Sequence, residues 1–306
     1  MVKYTYLLIF SLPVSLPLAA GCGSDSTDEG SGEHDSDMHA DSSSASNSDT
    51  SIDSDTALDT NQDTGFTTDV DSDSDVSDPV PLTNPESGFA THYWDCCKPH
   101  CGWNGNASSP VQSCDQDDTP IDSFDETSAC NGGAAFQCWN YAPFAVSDTL
   151  AYGFAAHNGV DCGTCFQLEF SGTGYHNPSD PGAATLSNKF MIVQVVNIGG
   201  IAEDQFDLLI PGGGVGDFDA CTRQWGVSDL GERYGGYFLQ CRKENIGNLQ
   251  DTISCVKSKC NSTFAEKKAL LKACHWWAEW ASVADNPNLR YGKVDCPSAL
   301  RAISGM

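Results

Sequence analysis

The stretch that decides the fold lies at residues 91–103 and reads Thr91-His-Tyr-Trp-Asp-Cys-Cys-Lys-Pro-His-Cys-Gly-Trp103. It brings three cysteines, two tryptophans, a tyrosine and a single carboxylate, Asp95, into 13 residues. If the doubled cysteine after Asp95 forms two disulfides, the backbone next to that acid loses most of its freedom. A lone Asp in a chain with 42 acidic residues is normally a solvated surface group, but an acid on so rigid a backbone is a candidate for catalysis.

A second acid stands among apolar residues, in the stretch Phe206-Asp-Leu-Leu-Ile-Pro-Gly-Gly-Gly-Val-Gly216. Apolar neighbours disfavour the ionised form of Asp207 and predict a raised pKa, which is what a general acid requires. The glycines at 212–216 predict a loop in which Gly213 lets the backbone approach a bulky ligand closely. It is not a phosphate-binding loop, because no Gly-Lys-Ser/Thr follows it.

These two blocks closely resemble the signatures of glycoside hydrolase family 45, the small endoglucanases. The first keeps every fixed position of the family pattern Thr-x-Tyr-Trp-Asp-Cys-Cys-Lys-Pro-x-Cys-x-Trp, and further similarity at 284–287 and 294–297 extends the likeness over 88–300. The resemblance implies an all-β-dominated fold, a six-stranded double-psi β-barrel with long disulfide-tied loops and an open groove. It also implies hydrolysis of internal β-1,4-glucosidic bonds with inversion at the anomeric carbon.

The resemblance assigns Asp207 as the general acid and Asp95 as the general base. Inversion needs two carboxyl groups roughly 6.5–9.5 Å apart, so that a water molecule fits between one of them and the sugar. Carboxylates and water suffice for this chemistry, so no metal or organic cofactor is expected. The expected substrate-binding positions are Tyr93 and Trp103 for stacking, Lys98 for a hydroxyl or a carboxylate, and Asn197, Gln205 and Gly213.

Three features depart from the family pattern. Gln205 stands where many members have a histidine, which leaves the pH optimum open. Ile201 follows Gly199-Gly200 where many members have a cleft-loop aspartate, and Glu203 or Asp204 is a possible substitute. The third departure is in the cysteines: the family's usual Cys-Cys-x-Cys run is Cys162-Gly-Thr-Cys165 here, and no cysteine follows Cys296. Trp94, which keeps the family pattern, is expected to face the core rather than the substrate.

The chain has fifteen cysteines, which favours an oxidising compartment and a disulfide framework over a zinc or redox site. Without Cys22 the remaining fourteen can close seven bridges. The family pattern implies pairing of Cys96 with Cys221, Cys97 with Cys130, Cys101 with Cys162, Cys114 with Cys138, and Cys165 with Cys296. The last two pairs expected are Cys241 with Cys274 and Cys255 with Cys260.

The N-terminal residues 1–22 predict an export signal. Lys3 precedes a short apolar run that ends in Leu18-Ala-Ala-Gly-Cys22, a sequence similar to the lipobox of bacterial lipoproteins. Plain cleavage near Ala20 is the alternative. Both place the protein outside the cytoplasm, either secreted or anchored to the cell surface through a lipid on Cys22.

Residues 23–87 hold 15 Asp and 3 Glu without Lys or Arg, and therefore carry much of the net charge of −27. So polar a segment predicts a disordered acidic linker, with folded structure starting near Gly88 and a catalytic domain at 88–306. Weak calcium binding at Asp71, Asp73 and Asp75 is a minor alternative. The charge argues against nucleic acid or an anionic membrane surface as partner, and a monomer is expected.

Strands are predicted at 165–170, 189–196 and 233–240 from alternating or β-branched residues. A single C-terminal helix is predicted after a capping box formed by Thr263 and Glu266, with an apolar stripe that includes Trp276, Trp277 and Trp280.

The sequence leaves three rival functions open. The main one is a non-hydrolytic, expansin-like protein that binds or loosens wall polysaccharide, and a barwin-like binding module is another. The third is a glucanase that prefers mixed-linkage glucan, glucomannan or xyloglucan. The presence of both Asp95 and Asp207 favours hydrolysis over the first two.

Overall fold

The computed structural model describes residues 79–306. Ten strands lie in this part of the chain: β1 Glu86–Tyr93, β2 Ser113–Cys114, β3 Pro120–Ile121, β4 Phe136–Gln137, β5 Phe144–Ala145, β6 Leu150–Ala156, β7 Cys165–Gly174, β8 Phe190–Asn197, β9 Gln205–Leu209 and β10 Pro287–Val294. The predicted strands at 165–170 and 189–196 are confirmed as β7 and β8.

Six of these strands close into a barrel. Their hydrogen-bonded order is β6-β8-β7-β10-β1-β9, and β9 returns to pair with β6, while the short β5 extends the sheet beyond β6. The closing contact is antiparallel and sets Ala156 opposite Asp207. The β1–β9 pair is parallel and sets Thr91 opposite Asp207. The predicted six-stranded barrel is therefore present, and its seam carries one of the two candidate acids.

An aromatic cluster packs against the seam strand β9. Phe206 is fully buried, and its ring contacts those of Phe166, Tyr291 and His157 at centroid distances between 4.0 and 5.2 Å. The imidazole of His157 stacks parallel to Phe206 and its Nδ1 lies 2.9 Å from the carbonyl oxygen of Gln205. These contacts fix β9 at Gln205 and Phe206, directly before Asp207.

Six α-helices lie within residues 79–306: α1 Pro181–Thr185, α2 Cys221–Trp225, α3 Gly236–Glu244, α4 Leu249–Phe264, α5 Lys268–Glu279 and α6 Ser298–Ser304. The predicted tryptophan-bearing helix is confirmed as α5, with Trp276 and Trp277 buried. The predicted capping box is wrong. Thr263 lies inside α4, and its hydroxyl bonds the phenol of Tyr237 at 2.6 Å. None of these helices is long and apolar enough to cross a membrane.

The strand predicted at 233–240 is wrong. The chain turns at Gly235 and Gly236, which both have positive φ, and then enters α3. A Cβ on Gly236 would overlap the carbonyl oxygen of Gly212, which accepts the Tyr237 amide at 2.9 Å. The close approach of two glycine turns overrides the β-propensity of the tyrosine and phenylalanine that follow.

Fourteen cysteines form seven disulfides in the described residues. Five of the expected pairs are confirmed: Cys96–Cys221, Cys97–Cys130, Cys101–Cys162, Cys114–Cys138 and Cys165–Cys296. The other two are wrong. Cys241 pairs with Cys255, and Cys260 pairs with Cys274.

The reason for the exchange is that Cys255 and Cys260 lie on one helix, α4. Five residues separate two points on a helix by about 7.5 Å along its axis, farther than the span a disulfide normally bridges. Each cysteine therefore bonds the helix beside it, Cys255 to α3 and Cys260 to α5.

The folded part begins earlier than Gly88. The backbone amide and carbonyl of Val80 exchange hydrogen bonds with the side chain of Gln167 in β7, at 2.9 and 2.7 Å. Residues 79–87 of the predicted linker therefore lie against the barrel. The export signal, Cys22, Asp71, Asp73, Asp75 and the rest of the linker lie outside the described residues.

Candidate active site

Asp95 and Asp207 are held by different kinds of structure, a disulfide-bonded bend and a β-strand. Asp207 is in the middle of β9, whereas Asp95 follows the end of β1 in a tight bend where Cys96 has a φ of 61°. Two disulfides, Cys96–Cys221 and Cys97–Cys130, hold this bend. The amide of Ala220 also donates to the Asp95 carbonyl at 2.9 Å. The doubled cysteine therefore restrains Asp95 as the sequence predicts.

Both acids line one open cleft of about 910 Å³ on the barrel. The cleft brings together every site residue predicted from the sequence: Tyr93, Asp95, Lys98, Trp103, Asn197, Gln205, Asp207 and Gly213. It also contains Gly199, Gly200 and Ile201 of the loop after β8, whereas Glu203 and Asp204 are absent from its lining.

Asp207 is half-buried at the wall of the cleft and lies at the end of a short hydrogen-bond chain. Gln205 Nε2 donates to Thr91 Oγ1 at 2.7 Å, and Thr91 Oγ1 donates to Asp207 Oδ1 at 2.6 Å. Burial raises the pKa of Asp207 to about 7, with a smaller upward contribution from the charge of Asp95, while the Thr91 hydroxyl opposes the shift. At neutral pH a large fraction of this carboxyl group carries a proton.

Asp95 is also half-buried, but the shift in its pKa is smaller. The amide of Cys97 donates to Asp95 Oδ1 at 2.9 Å and stabilises the ionised form. Burial raises the pKa of Asp95 to about 6, and the nearby charge of Asp219 adds to the shift. The two carboxyl groups thus favour different protonation states between pH 6 and 7, with Asp207 protonated and Asp95 ionised.

Tyr93 and Asn197, which both line the cleft, are joined by a hydrogen bond. Asn197 Nδ2 donates to the Tyr93 hydroxyl at 2.9 Å, and Asn197 Oδ1 accepts the His100 amide at 2.8 Å. The carboxamide therefore fixes the end of the tyrosine ring. Burial, followed by the charges of Asp95 and Asp207, raises the pKa of Tyr93 well above its usual range, so the phenol stays protonated.

Lys98 supports the indole of Trp103. Its Nζ donates to the carbonyl oxygens of Phe124 and Glu126, at 2.7 and 2.9 Å, rather than to a carboxylate. It also lies 3.8 Å from the centroid of the Trp103 ring, a cation–π contact. Lys98 is only 5% exposed, whereas Trp103 is partly exposed in the cleft.

Gly213 brings the glycine loop against β1. A Cβ at this position would lie 2.8 Å from the carbonyl oxygen of Ile210 and 3.1 Å from the amide nitrogen of Tyr93. The missing side chain therefore allows two backbone segments to meet beneath the cleft. Trp94 is 1% exposed and faces the core, as predicted.

Sequence reasoning missed three features of the site. The Thr91 hydroxyl, which contacts Asp207, belongs to the first motif, but only the strand register shows that the two residues are neighbours. Phe218 and Tyr234 are exposed aromatic residues on the cleft wall. The Tyr234 hydroxyl donates to Asp217 at 2.6 Å. Their positions beside glycine turns were the available signal.

The comparisons with known proteins agree with the motifs. Residues 87–306 match the sequence profile described as Glycosyl hydrolase family 45. The chain belongs to this family.

Related proteins support the assignment to family 45. The chain is 48% identical to "Endoglucanase B" of Cellvibrio japonicus over 238 residues, which are 74% of this chain and 46% of that protein. It is 41% identical to a "Putative endoglucanase type K" of Fusarium oxysporum, over 72% of this chain and 53% of that one. The chain thus spans about half the length of these two relatives.

A solved family 45 structure shares the fold. The crystal structure of a cellulase from the Antarctic springtail Cryptopygus antarcticus aligns with a TM-score of 0.57 at 36% identity. The alignment covers 73% of this chain and 97% of the springtail enzyme. The expected double-psi β-barrel with disulfide-tied loops is therefore confirmed.

Proposed function

We propose that this family 45 protein is an endo-β-1,4-glucanase that cuts internal bonds of cellulose and related β-glucans. The observation that supports it most directly is a pair of half-buried acids from distant segments, Asp95 and Asp207, in one open cleft with pKa values of about 6 and 7. The names of the relatives, all endoglucanases, agree with this function.

In the proposed reaction Asp207 is the general acid. Its proton passes to the glycosidic oxygen as the bond from that oxygen to the anomeric carbon breaks. The burial that raises its pKa keeps the proton available near neutral pH. Thr91 positions the carboxyl group, and Gln205 positions Thr91.

Asp95 is the proposed general base. It takes a proton from a water molecule that attacks the anomeric carbon from the face opposite the leaving oxygen, so the product has the α configuration. The Cys97 amide favours the ionised form that this step requires. The proton lost by Asp207 and the proton gained by Asp95 balance over one turnover after exchange with solvent.

The remaining predicted positions are proposed to bind the sugar chain. The faces of Tyr93 and Trp103 accept the apolar faces of glucose units, with Asn197 and Lys98 holding these two rings in place. Gln205 and Gly213 act more indirectly, through Thr91 and through the approach of the glycine loop to β1. Because the cleft is open, a polymer can enter along its side, which suits internal cleavage.

The deciding experiment measures new reducing ends and the anomeric configuration of the product. We expect the purified chain to release reducing ends from carboxymethyl-cellulose, to lower its viscosity early, and to give an α product by NMR. Binding without release would instead support the expansin-like alternative. A faster viscosity loss on mixed-linkage glucan, glucomannan or xyloglucan would assign the polymer preference.

We also propose that the protein acts outside the cell as a monomer, tethered through a lipid on Cys22 by the acidic linker. The lipobox-like residues before Cys22 and the seven disulfides support export. Replacing Cys22 with serine should move the protein from the membrane fraction to the soluble fraction. Unchanged fractionation would indicate plain secretion.

A further inference from the structure

An exposed aromatic ring lies outside the cleft, on the connection between β7 and α1. Tyr175 is 50% exposed, and its ring stacks on Phe89 of β1 at a centroid distance of 4.0 Å with an interplanar angle of 10°. Phe89 is 7% exposed beneath it. Parallel stacking covers one face of the tyrosine and leaves the opposite face toward solvent. The ring of His176 meets Tyr175 edge-on at 4.9 Å.

The backbone of this segment is fixed to a residue of the cleft. The amide of Tyr175 donates to the carbonyl oxygen of Asn286 at 2.8 Å, and Asn286 belongs to the cleft lining. The preceding Gly174 pairs with Pro287 at the start of β10. Tyr175 is therefore held by a segment that also lines the cleft.

The register of β1 relates this ring to the proposed acid. Phe89 and Thr91 are two residues apart in the strand, so their side chains point to the same face, at positions about 7 Å apart. Thr91 contacts Asp207 on that face. Tyr175, stacked on Phe89, thus lies on the same face of β1 as Thr91, the residue that contacts the proposed acid.

We propose that Tyr175 is a distal binding site for a glucosyl unit of a β-glucan chain that extends beyond the cleft. A flat, half-exposed aromatic ring fits the apolar face of a neutral sugar, and its parallel contact with Phe89 orients it before the polymer arrives. This inference rests on the proposed glucanase function, and it adds a site that favours long chains over short ones.

The test compares substitutions that separate the flat ring from its packing role. Tyr175→Phe keeps the ring, whereas Tyr175→Leu keeps apolar cover over Phe89 but removes the flat face. Ile246→Ala, at an exposed site on the connection after α3, is the matched surface control. Each full-length variant is assayed for kcat/KM on a long soluble β-glucan and on a short cello-oligosaccharide.

We expect Tyr175→Leu to lower the ratio of long-chain to short-chain kcat/KM roughly three- to tenfold, through KM. Tyr175→Phe and Ile246→Ala should keep the ratio of the unchanged protein. The proposal is overturned if Tyr175→Leu gives the same kcat/KM ratio as Tyr175→Phe, because Tyr175 then serves only to cover Phe89. It is equally overturned if Tyr175→Leu lowers kcat/KM on the long glucan and on the short oligosaccharide to the same extent.

A binding measurement separates this inference from the proposed function. The variants are run through gels with and without the same long glucan, and retardation is measured in the Asp207→Asn background, where hydrolysis cannot shorten the chain. Less retardation of Tyr175→Leu than of Tyr175→Phe supports the distal site even if the unchanged protein proves inactive. Equal retardation of the two variants contradicts it even if the protein is a glucanase.

Discussion

The barrel with its cleft and the helix pair α4–α5 are stabilised by the same kinds of contact, but they contribute differently to the site. Both contain disulfides and buried aromatic side chains. In the barrel region, Cys96–Cys221 and Cys165–Cys296 join residues 125 and 131 positions apart, and Cys96–Cys221 holds the bend that carries Asp95. The two bridges of the helical region each span 14 positions and tie a helix to its neighbour.

This difference suggests separate roles for the two regions, turnover for the cleft and stability for the helices. The cleft lining includes residues of β1, β9 and the glycine loop but none from α4 or α5. The helices reach the site only indirectly, for example through Trp277, whose ring lies 4.2 Å from that of His92 in β1. We therefore expect changes in the cleft to alter turnover and changes in α4 or α5 to alter stability.

The largest effect is expected at the two acids. Asp95→Asn and Asp207→Asn should each lower kcat by roughly 10²–10⁴-fold on carboxymethyl-cellulose, because each removes one proton-transfer group. The fold should survive, since an amide fits the same space. Glu266→Gln, in an exposed position between α4 and α5, is the matched acid-to-amide control and should keep full activity. Comparable activity in either Asp variant would contradict the assignment of that residue.

A substitution in α4 is expected to lower stability rather than turnover. Phe264 is fully buried and its ring meets that of Trp225 edge-on at 4.8 Å. Phe264→Ala should lower the free energy of unfolding by about 3–5 kcal/mol, because it leaves a cavity as well as removing apolar contact. Urea unfolding measures the loss, with exposed Ile246→Ala as the control.

The kcat of the Phe264→Ala variant tests whether the helices contribute to stability alone. If the helices serve only stability, kcat of the folded Phe264→Ala protein at low temperature stays within about twofold of the unchanged protein. A selective fall in kcat with little loss of stability would show that α4 influences the cleft, which would contradict a purely stabilising role for this helix.

The same division explains what could be predicted from sequence. The cleft region was predictable because its constraints are chemical: an acid beside a doubled cysteine or before a glycine run leaves few alternatives. The five confirmed disulfide pairs were predictable from the resemblance to family 45, and the strands β7 and β8 were predictable from their alternating or β-branched residues. The hydrogen bond between Thr91 and Asp207 depends on strand register, and nothing local in either segment specifies which residues become opposite.

The helical region was predictable only in part. Its α5 has a clear apolar stripe, but the pairing of Cys241, Cys255, Cys260 and Cys274 depends on which helices lie side by side. The strand predicted at 233–240 failed for a similar reason. Local preference of Tyr237 and Phe238 favours a strand, whereas the contact between Gly212 and Gly236 is a tertiary one and starts a helix.

Removing one helical disulfide should have an intermediate effect. The double change Cys260→Ser and Cys274→Ser opens a loop of 14 positions and should lower the free energy of unfolding by about 3 kcal/mol. Turnover of the folded protein should be unchanged. Peptide mapping of the unchanged protein provides the check, because it should recover Cys260 linked to Cys274 and Cys241 linked to Cys255. Recovery of Cys255 linked to Cys260 would overturn the helix arrangement.

The smallest effect is expected in the pH profile, where it tests the cleft most finely. The proposed roles require Asp95 ionised and Asp207 protonated, so kcat/KM should fall as pH drops through about 6 and as pH rises through about 7. Because the Thr91 hydroxyl donates to the Asp207 carboxylate, it stabilises the ionised form and lowers the pKa. Thr91→Val removes that bond, so the pKa of Asp207 rises and the alkaline limb moves to higher pH. The acidic limb, set by Asp95, should stay in place, and Thr91→Ser, which keeps a hydroxyl, should retain the original profile. A shift of the acidic limb alone would mean that the residue beside Thr91 is the base, and the roles of the two carboxyl groups would have to be exchanged.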